Sequence, residues 1–228
     1  MMQYLLIFAV YLGYAAFCGR FLLHAYLWWK GTARPSVINP HVRRSLGTCL
    51  RGAADVFLFY RLLRTNDVLW AGELLFHGSL VLVLLRHLRL VLDPVPGWVW
   101  ALQPWGVIAG YLLPFTLVYI LVIRLLTERE KYSSPGNLFL LVSLFIISLT
   151  GVFMHAWWKP DIIGIKLFLL GIFSFHPVPW PGGWLGTLHL IAVLVIIPYL
   201  PTHIFIAPAV MMEARSREEG LHEVLHGR

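Results

Sequence analysis

Long runs of apolar residues divide the chain into five stretches, each close to the length of a membrane-spanning helix. A helix needs about 20 mainly apolar residues to cross the hydrocarbon core of a bilayer. The stretches cover residues 3–29, 68–92, 105–126, 138–158 and 184–206. The pattern therefore predicts an all-α integral membrane protein, a five-transmembrane-helix bundle that forms a single membrane domain over residues 1–228. The first stretch is interpreted as a span and not as a removed signal peptide.

Between the first two stretches, residues 41–64 place apolar side chains at roughly helical spacing, with five arginines among them. This pattern predicts an amphipathic helix on the membrane surface. Such a helix either binds anionic lipid or helps to dock a partner protein. Later, residues 159–183 are too broken by proline and glycine for a span, although residues 162–175 allow a short helix. The chain is predicted to end in a polar tail from Met211 to Arg228.

Composition supports the membrane interpretation and excludes several cofactors. The chain is 59% hydrophobic and 13% charged, with a mean hydropathy of +0.75. A soluble domain of 228 residues cannot bury that much apolar surface. The two cysteines, Cys18 and Cys49, lie in no CxxC pattern. This excludes a cysteine-ligated iron–sulfur cluster, a structural zinc site and a covalent c-type haem in this chain.

The placement of Lys and Arg predicts the orientation of the bundle. Thirteen of these residues fall on one predicted side and four on the other. Because positively charged loops stay in the cytoplasm, the N-terminus is expected outside and the C-terminus in the cytoplasm. The net charge of +7 follows this topology and indicates no nucleic-acid partner.

Four histidines carry the candidate chemistry. His77 and His87 lie on the second stretch, and His189 and His203 lie on the fifth. A helix rises about 1.5 Å per residue, so the pairs are separated by roughly 15 and 21 Å along their helices. Antiparallel spans bring His87 level with His189 near the outer side and His77 level with His203 near the inner side. Two such pairs are the axial ligand set of two stacked b-type haems.

The sequence is also consistent with other roles for these histidines. Intramembrane histidines also serve as hydrogen-bonded packing residues or as groups of a proton relay or transporter. His24 and His155 are alternative ligands, and His155 is better placed as a substrate-site residue. Small residues beside the ligands, listed next, would admit a porphyrin edge or simply pack helices. They are Gly72, Gly78 and Ser79 near His77, and Gly186 and Thr187 near His189.

Three charged residues on the second stretch lie close in sequence to the candidate ligands His77 and His87. Arg86 and Arg89 flank His87 and are expected either to pair with haem propionates or to extend towards the membrane interface. Glu73 precedes His77 by one turn. It is either a proton-handling group or the partner of Arg61 or Arg64.

The segment RTNDVLWAGELLFHGSLVLVLLRHLRLVLDPVP and the LPTHIFIAP sequence carry a resemblance to a known family. The chain resembles the membrane cytochrome b (gamma) subunits of respiratory nitrate reductases. It more closely resembles the membrane subunit of the dissimilatory sulfite-reduction-associated, heterodisulfide-reductase-like electron-transfer complex. The spacing of fourteen residues between His189 and His203 is shorter than in the nitrate reductase subunits, which favours the sulfur-metabolism branch.

The resemblance covers most of the chain and implies two haem b groups, with His77, His87, His189 and His203 as ligands. It also implies menaquinone or another quinone as substrate and a cytoplasmic, heterodisulfide-reductase-like iron–sulfur subunit as partner. Further membrane and extracytoplasmic cytochrome or iron–sulfur subunits, and membrane lipid, are additional expected partners. The expected location is the prokaryotic cytoplasmic (inner) membrane.

The quinone site is expected near the outer haem, where His155, Lys159 and Asp161 place an imidazole and two charges at the membrane interface. Lys159 and Asp161 are also interpretable as a plain ion pair. The sequence thus predicts a dihaem cytochrome b subunit that exchanges electrons between quinol and a cytoplasmic iron–sulfur protein. The alternative function is a membrane transporter or proton channel that uses intramembrane histidines.

Overall fold

The computed structural model describes residues 2–30, 46–127 and 135–226, and every regular element in these ranges is a helix. The α-helices are α1 Met2–Trp29, α2 Leu46–Phe57, α3 Tyr60–Thr65, α4 Asp67–His87, α5 Gly97–Ala101, α6 Gln103–Thr127, α7 Pro135–Ala156, α8 Ile162–Phe173, α9 Gly183–Ile196 and α10 Ala207–His226. Two 3₁₀ turns, Leu88–Leu90 and Ile197–Tyr199, and a π-helical turn, Thr202–Ile206, complete the elements. The first residues of the predicted amphipathic segment, 41–45, lie outside the described ranges.

Four of the described helices are long and apolar enough to cross a membrane. They are Gln3–Leu27, Asp67–Leu90, Gln103–Thr127 and Pro135–Ala156. A fifth span is present if the interrupted pair Gly183–Tyr199 and Thr202–Glu219 crosses as one unit. The prediction of an all-α, multi-spanning membrane protein is therefore confirmed. The direction of crossing, with the N-terminus outside, stays a prediction.

The end of the chain differs from the prediction. Residues from Met211 onwards were expected to form a polar tail, but α10 runs from Ala207 to His226. The fifth predicted span, 184–206, is also interrupted, since α9 ends at Ile196 and is followed by the 3₁₀ turn Ile197–Tyr199. Pro198 and Pro201 explain the interruption, because proline lacks the N–H that an α-helix needs and its ring clashes with the preceding turn.

The described residues group into two compact units, and the prediction of one membrane domain stays a prediction. The first unit is formed by Met1–Tyr14 and Ala71–Ile196. Its core contains Val10 of α1 and Phe168 and Ile172 of α8, and partly buried residues of α9 pack against it. The Tyr11 hydroxyl also donates a hydrogen bond to the Ile172 carbonyl, with 3.2 Å between the oxygens. The short helix α8, anticipated from sequence, thus packs at the core of this unit.

The second unit, Ala15–Trp70 and Ile197–Arg228, contains the predicted amphipathic segment. That segment is two helices, α2 and α3, and not one. The break falls at Phe59, whose φ of 50° puts it in the left-handed region, where a bulky side chain is strained. The Trp70 indole donates to the Leu58 carbonyl, with 2.8 Å between the atoms, so this carbonyl is satisfied at the break. Asn66 then caps α4 by accepting the N–H of Leu69 at 2.9 Å.

Helix α10 packs along α2, and charged residues join them. Gly52 allows the close approach, since a Cβ there would lie 3.6 Å from the Met212 side chain. Arg51 pairs with Glu219 at 2.7 Å, and this hydrogen bond raises the pKa of the Arg51 guanidinium. Arg61 pairs with Glu218. Two of the arginines that were interpreted as lipid or partner contacts are thus engaged within the chain.

A buried carboxylate lies between these two helices. The Asp55 side chain is fully buried, and its Oδ2 lies 3.6 Å from the Arg215 guanidinium Nε of α10. Burying a charge is costly unless an opposite charge is near. The Asp55–Arg215 pair therefore helps to fix the register of α10 on α2, and it explains why a polar segment forms an ordered helix here.

Candidate functional site

The two histidines that were predicted as the outer pair belong to the same unit, on α4 and α9. His87 is the last residue of α4, and its Nδ1 lies 2.7 Å from the Val83 carbonyl oxygen. His189 lies in α9, and its Nδ1 is 2.9 Å from the Thr150 hydroxyl of α7. The two imidazoles interact electrostatically. His87 and His189 thus lie within electrostatic reach of each other, and their role as haem ligands stays a prediction.

The hydrogen-bond partners assign the tautomer of the histidines on α4. The Nδ1 atoms of His77 and His87 lie 2.8 and 2.7 Å from the carbonyl oxygens of Glu73 and Val83. A carbonyl oxygen only accepts hydrogen bonds, so both Nδ1 atoms carry the proton. The Nε2 atoms therefore keep the lone pair that an iron ion would take. This donor set fits axial ligation of haem.

The predicted inner pair divides between the two units. His77 lies in the first unit, on α4, and His203 lies in the second, in the π-helical turn Thr202–Ile206. The pairing of His77 with His203 therefore stays a prediction. His24, an alternative ligand, is hydrogen-bonded through its Nε2 to the Thr202 hydroxyl at 3.1 Å.

No group of three or more His, Cys, Asp or Glu side chains gathers into a metal-ion site within the described ranges. A haem iron takes only two axial ligands from the protein, and its porphyrin supplies the other four. A haem site in this chain would therefore need only a pair of histidines.

Glu73 has a different partner from the two that were considered. Its Oε1 lies 2.6 Å from the Arg124 guanidinium of α6, and its Oε2 lies 3.6 Å from the His77 Nδ1. Arg61 instead pairs with Glu218, and Arg64 donates to the Tyr60 hydroxyl at 2.7 Å. Arg124 was counted only among the Lys and Arg residues of the predicted cytoplasmic side, so its contact with Glu73 was not predicted.

The packing of α4 on α6 explains the Glu73–Arg124 contact. A Cβ on Gly72 would lie only 2.6 Å from the Tyr119 ring, so the helices approach closely at this glycine. Arg124 follows Tyr119 by little more than one turn, which brings its side chain to Glu73. Gly72 thus has a packing function and does not provide space for a cofactor.

The other small residues beside the predicted ligands differ in whether neighbouring side chains fill the space around them. Gly186 faces the Trp180 ring, and Thr187 accepts a hydrogen bond from the Trp180 indole at 2.9 Å. Only Gly78, among the glycines beside the predicted ligands, has no other atom within 4 Å of where a Cβ would stand. Of these glycines, therefore, only Gly78 leaves open space beside a predicted ligand, His77.

A cluster of polar side chains surrounds the end of α4 that carries His87. His155, near the end of α7, lies within electrostatic reach of Arg86, Arg89 and Lys159. Its Nδ1 is 3.1 Å from the Tyr111 hydroxyl, and the two rings meet edge to face at 5.6 Å. The predicted residues His155, Lys159, Arg86 and Arg89 are thus near one another, and Tyr111 is an addition that sequence reasoning missed.

Gln103 holds one member of this cluster in place. The Arg86 Nε donates to the Gln103 Oε1 at 3.3 Å, and the Gln103 amide donates to the Val99 carbonyl at 3.1 Å. Gly106, one turn further along α6, packs directly on the Arg86 side chain, where a Cβ would lie 2.7 Å from the Arg86 Cβ. The start of α6 therefore positions Arg86. Whether Arg86 and Arg89 contact haem propionates stays a prediction.

Asp161 has a structural task in this region. Its carboxylate accepts the backbone N–H of Gly164 at 3.0 Å and so caps the N-terminus of α8. Lys159 is exposed and acts electrostatically on His155. The predicted quinone-site residues thus divide into His155 and Lys159, which belong to the polar cluster, and Asp161, which is used as a helix cap.

Comparisons with known proteins identify two similar sequences. The chain is 29% identical over 150 residues to the Hdr-like menaquinol oxidoreductase cytochrome b-like subunit of Archaeoglobus profundus. It is 34% identical over 119 residues to the subunit of the same name from Archaeoglobus fulgidus. These matches cover 58% and 47% of this chain. The resemblance to the heterodisulfide-reductase-like subunit is confirmed, whereas the link to nitrate reductase gamma subunits stays a prediction.

The similarity is partial in length. The chain spans 44% and 36% of the lengths of these two relatives. No protein-family model matches the chain, and no solved structure matches it.

Proposed function

We propose that the chain is a quinol-interacting, dihaem cytochrome b subunit of a membrane oxidoreductase. It would exchange electrons between menaquinol and a cytoplasmic iron–sulfur partner. The observation that carries the proposal is the outer histidine pair, His87 and His189, which belong to the same unit, have hydrogen-bonded Nδ1 atoms and lie within electrostatic reach of each other. The two Archaeoglobus relatives, named as cytochrome b-like subunits of menaquinol oxidoreductases, support the same function.

Two haem b groups would supply one-electron transfer, one held by His87 and His189 and one by His77 and His203. Backbone carbonyls orient the rings of His77 and His87 before any cofactor binds. Arg86 and Arg89, next to His87, provide positive charge for propionates. The chain's residues thus prepare the ligand atoms and a counter-charge.

Quinol oxidation releases two electrons and two protons, so a site for it needs a base at the membrane interface. His155 is that base in our proposal, and the Tyr111 hydroxyl at its Nδ1 orients the ring. Lys159, Arg86 and Arg89 lie within electrostatic reach of this imidazole and give the site positive charge. Asp161 is not needed for this step.

The electrons must leave to a partner. An iron–sulfur cluster takes about four cysteine ligands, and this chain has only Cys18 and Cys49. An iron–sulfur acceptor would therefore belong to another subunit, and the names of the relatives support one of the Hdr-like kind, which we place in the cytoplasm. The same residues would serve electron flow in the opposite direction, from that partner to quinone.

A proton channel or transporter is the second candidate. The observation that favours it is the Glu73, Arg124 and His77 group inside the apolar helices α4 and α6. Such groups mark proton and ion pathways in membrane proteins. This function predicts a colourless protein.

The test is a reduced-minus-oxidised optical spectrum of the purified full-length chain, with haem quantitation. We expect about two b-type haems per chain, and loss of one in each of His77→Ala, His87→Ala, His189→Ala and His203→Ala. His176→Ala is the control, because His176 lies in the loop after α8 with its Nδ1 2.8 Å from the Ser174 carbonyl. A folded wild-type chain without haem would overturn the proposal and favour the transporter.

A further inference from the structure

Thr150 links His189 to the backbone of α7, a helix that carries none of the four predicted haem ligands. The Thr150 side chain is buried in α7, and its Oγ1 lies 2.9 Å from the His189 Nδ1. The same oxygen lies 2.8 Å from the Ile146 carbonyl and 3.0 Å from the Ile147 carbonyl. A threonine in a helix interior often bonds to the preceding turn. Here its hydroxyl also reaches the imidazole of a neighbouring helix.

The direction of these hydrogen bonds follows from the proposed ligation of haem by His189. An imidazole that binds iron through Nε2 carries its proton on Nδ1, and a hydroxyl has one hydrogen to donate. The Nδ1 proton then goes to the Thr150 oxygen, and the Thr150 hydroxyl donates to the α7 backbone at the Ile146 or Ile147 carbonyl. The result is a chain of hydrogen bonds from imidazole to hydroxyl to carbonyl.

Gly151 lies next to the same ring. It follows Thr150, and a Cβ built on it would lie 3.6 Å from the His189 Cε1. The imidazole is therefore close to α7 at two consecutive residues, with Nδ1 at Thr150 and Cε1 towards Gly151.

We propose that Thr150 is a positioning residue that acts through His189 and sets the reduction potential of the outer haem. The inference rests on the proposed function and deepens it. A hydrogen bond accepted from the second nitrogen of a ligating imidazole fixes the tautomer and raises the basicity of the ligand. A more basic ligand stabilises ferric over ferrous iron, so the bond to Thr150 lowers the potential.

The outer pair is asymmetric in this respect. The Nδ1 of His87 is hydrogen-bonded to the backbone carbonyl of Val83. This acceptor would remain with any side chain at position 83. The Nδ1 of His189 lies 2.9 Å from a side-chain oxygen, which a single substitution removes, and the Ile147 carbonyl adds a backbone hydrogen bond to this imidazole. Thr150 is thus the residue through whose side chain the sequence acts on the outer ligand pair.

The experiment is a redox titration of the full-length chain with Thr150→Val and Thr150→Ser. Valine keeps the shape of threonine but has no oxygen, whereas serine keeps the hydroxyl. We expect Thr150→Val to raise the midpoint potential of one haem by about 59 mV, equivalent to a tenfold change for a one-electron couple. The haem that shifts is the one lost in His189→Ala. Thr150→Ser keeps the wild-type potential because it retains the hydroxyl. Gly151→Ala also keeps it, because the alanine Cβ only reaches ordinary contact distance from the ring.

Each outcome decides the question. Loss of the outer haem from Thr150→Val with retention in Thr150→Ser also supports the inference, since the acceptor then governs ligation itself. If the valine variant does not fold, Thr150→Ala removes the same oxygen and carries the same expectation. An unchanged potential in a haem-loaded Thr150→Val or Thr150→Ala, or an equal shift in Thr150→Ser, would overturn the inference. Absence of haem from the wild-type chain would instead overturn the proposed function.

Discussion

The Glu73 carboxylate of α4 and the Arg124 guanidinium of α6 form an ion pair between two apolar helices, with 2.6 Å between Oε1 and Nη2. Their side chains are only 9% and 21% exposed. The pair lies beside His77, whose Nδ1 is 3.6 Å from the second oxygen of Glu73. This largely buried charge pair links α4 to α6 and places a negative group next to His77, a predicted haem ligand.

Arg124→Met should destabilise the first unit by about 3 kcal/mol, since removing one member of a buried pair leaves the other charge without compensation. The double variant Glu73→Gln with Arg124→Met should recover most of that loss. The measurement is unfolding of the purified chain in detergent with increasing dodecyl sulfate. Arg61→Met is the matched control, because its pair with Glu218 is about half exposed and should contribute less than about 1 kcal/mol. Equal effects of Arg124→Met and Arg61→Met would contradict the buried role.

Gly72→Ala should weaken the packing of α4 on α6 by about 1–3 kcal/mol, because its Cβ would lie 2.6 Å from the Tyr119 ring. Gly78→Ala is on the same helix, has no atom within 4 Å of the new Cβ, and should be neutral or slightly stabilising. The same unfolding assay compares the two. The interpretation of Gly72 as a packing glycine fails if both substitutions behave alike.

His155→Gln should slow the reduction of bound haem by a menaquinol analogue about a hundredfold, because a positioned base contributes at least this much to proton transfer. Haem content should not change, since His155 is not a proposed ligand. Tyr111→Phe should give a smaller loss, because the imidazole remains and only its orienting hydroxyl is removed. Stopped-flow spectroscopy at the haem absorption band measures both. A wild-type rate in His155→Gln would place the quinol base elsewhere.

Asp161→Ala should cost about 1 kcal/mol of stability through loss of the α8 cap and should leave the rate of haem reduction unchanged. Asp161→Asn, which retains a capping oxygen, should restore most of the stability. A slowed reduction rate in a stable Asp161→Asn variant would return Asp161 to the quinone site that the sequence suggested.

The sequence predicted much of the architecture, because crossing a membrane imposes a constraint on each residue in linear order. Apolar runs longer than about 18 residues identify spans regardless of how helices later pack. The four long helices therefore agree with the predicted ranges within a few residues. His77 and His87 lie on one continuous helix, α4, so helical rise converts the interval between them into a distance. The separation of His189 from His203 stays a prediction, because α9 ends at Ile196 between them.

The tertiary structure decided which side chains meet. Glu73 pairs with Arg124 and not with Arg61 or Arg64, and Thr150 contacts His189. Both contacts depend on the rotation and axial position of each helix against its neighbour. The ordering of α10 on α2 depends in the same way on the pairing of Asp55 with Arg215. Hydropathy fixes that a helix crosses the bilayer, but it is nearly uniform around these helices and therefore carries no information on which face turns inward. Close packing at residues such as Gly72 sets that face, and the hydrogen bonds around the predicted ligands follow from it.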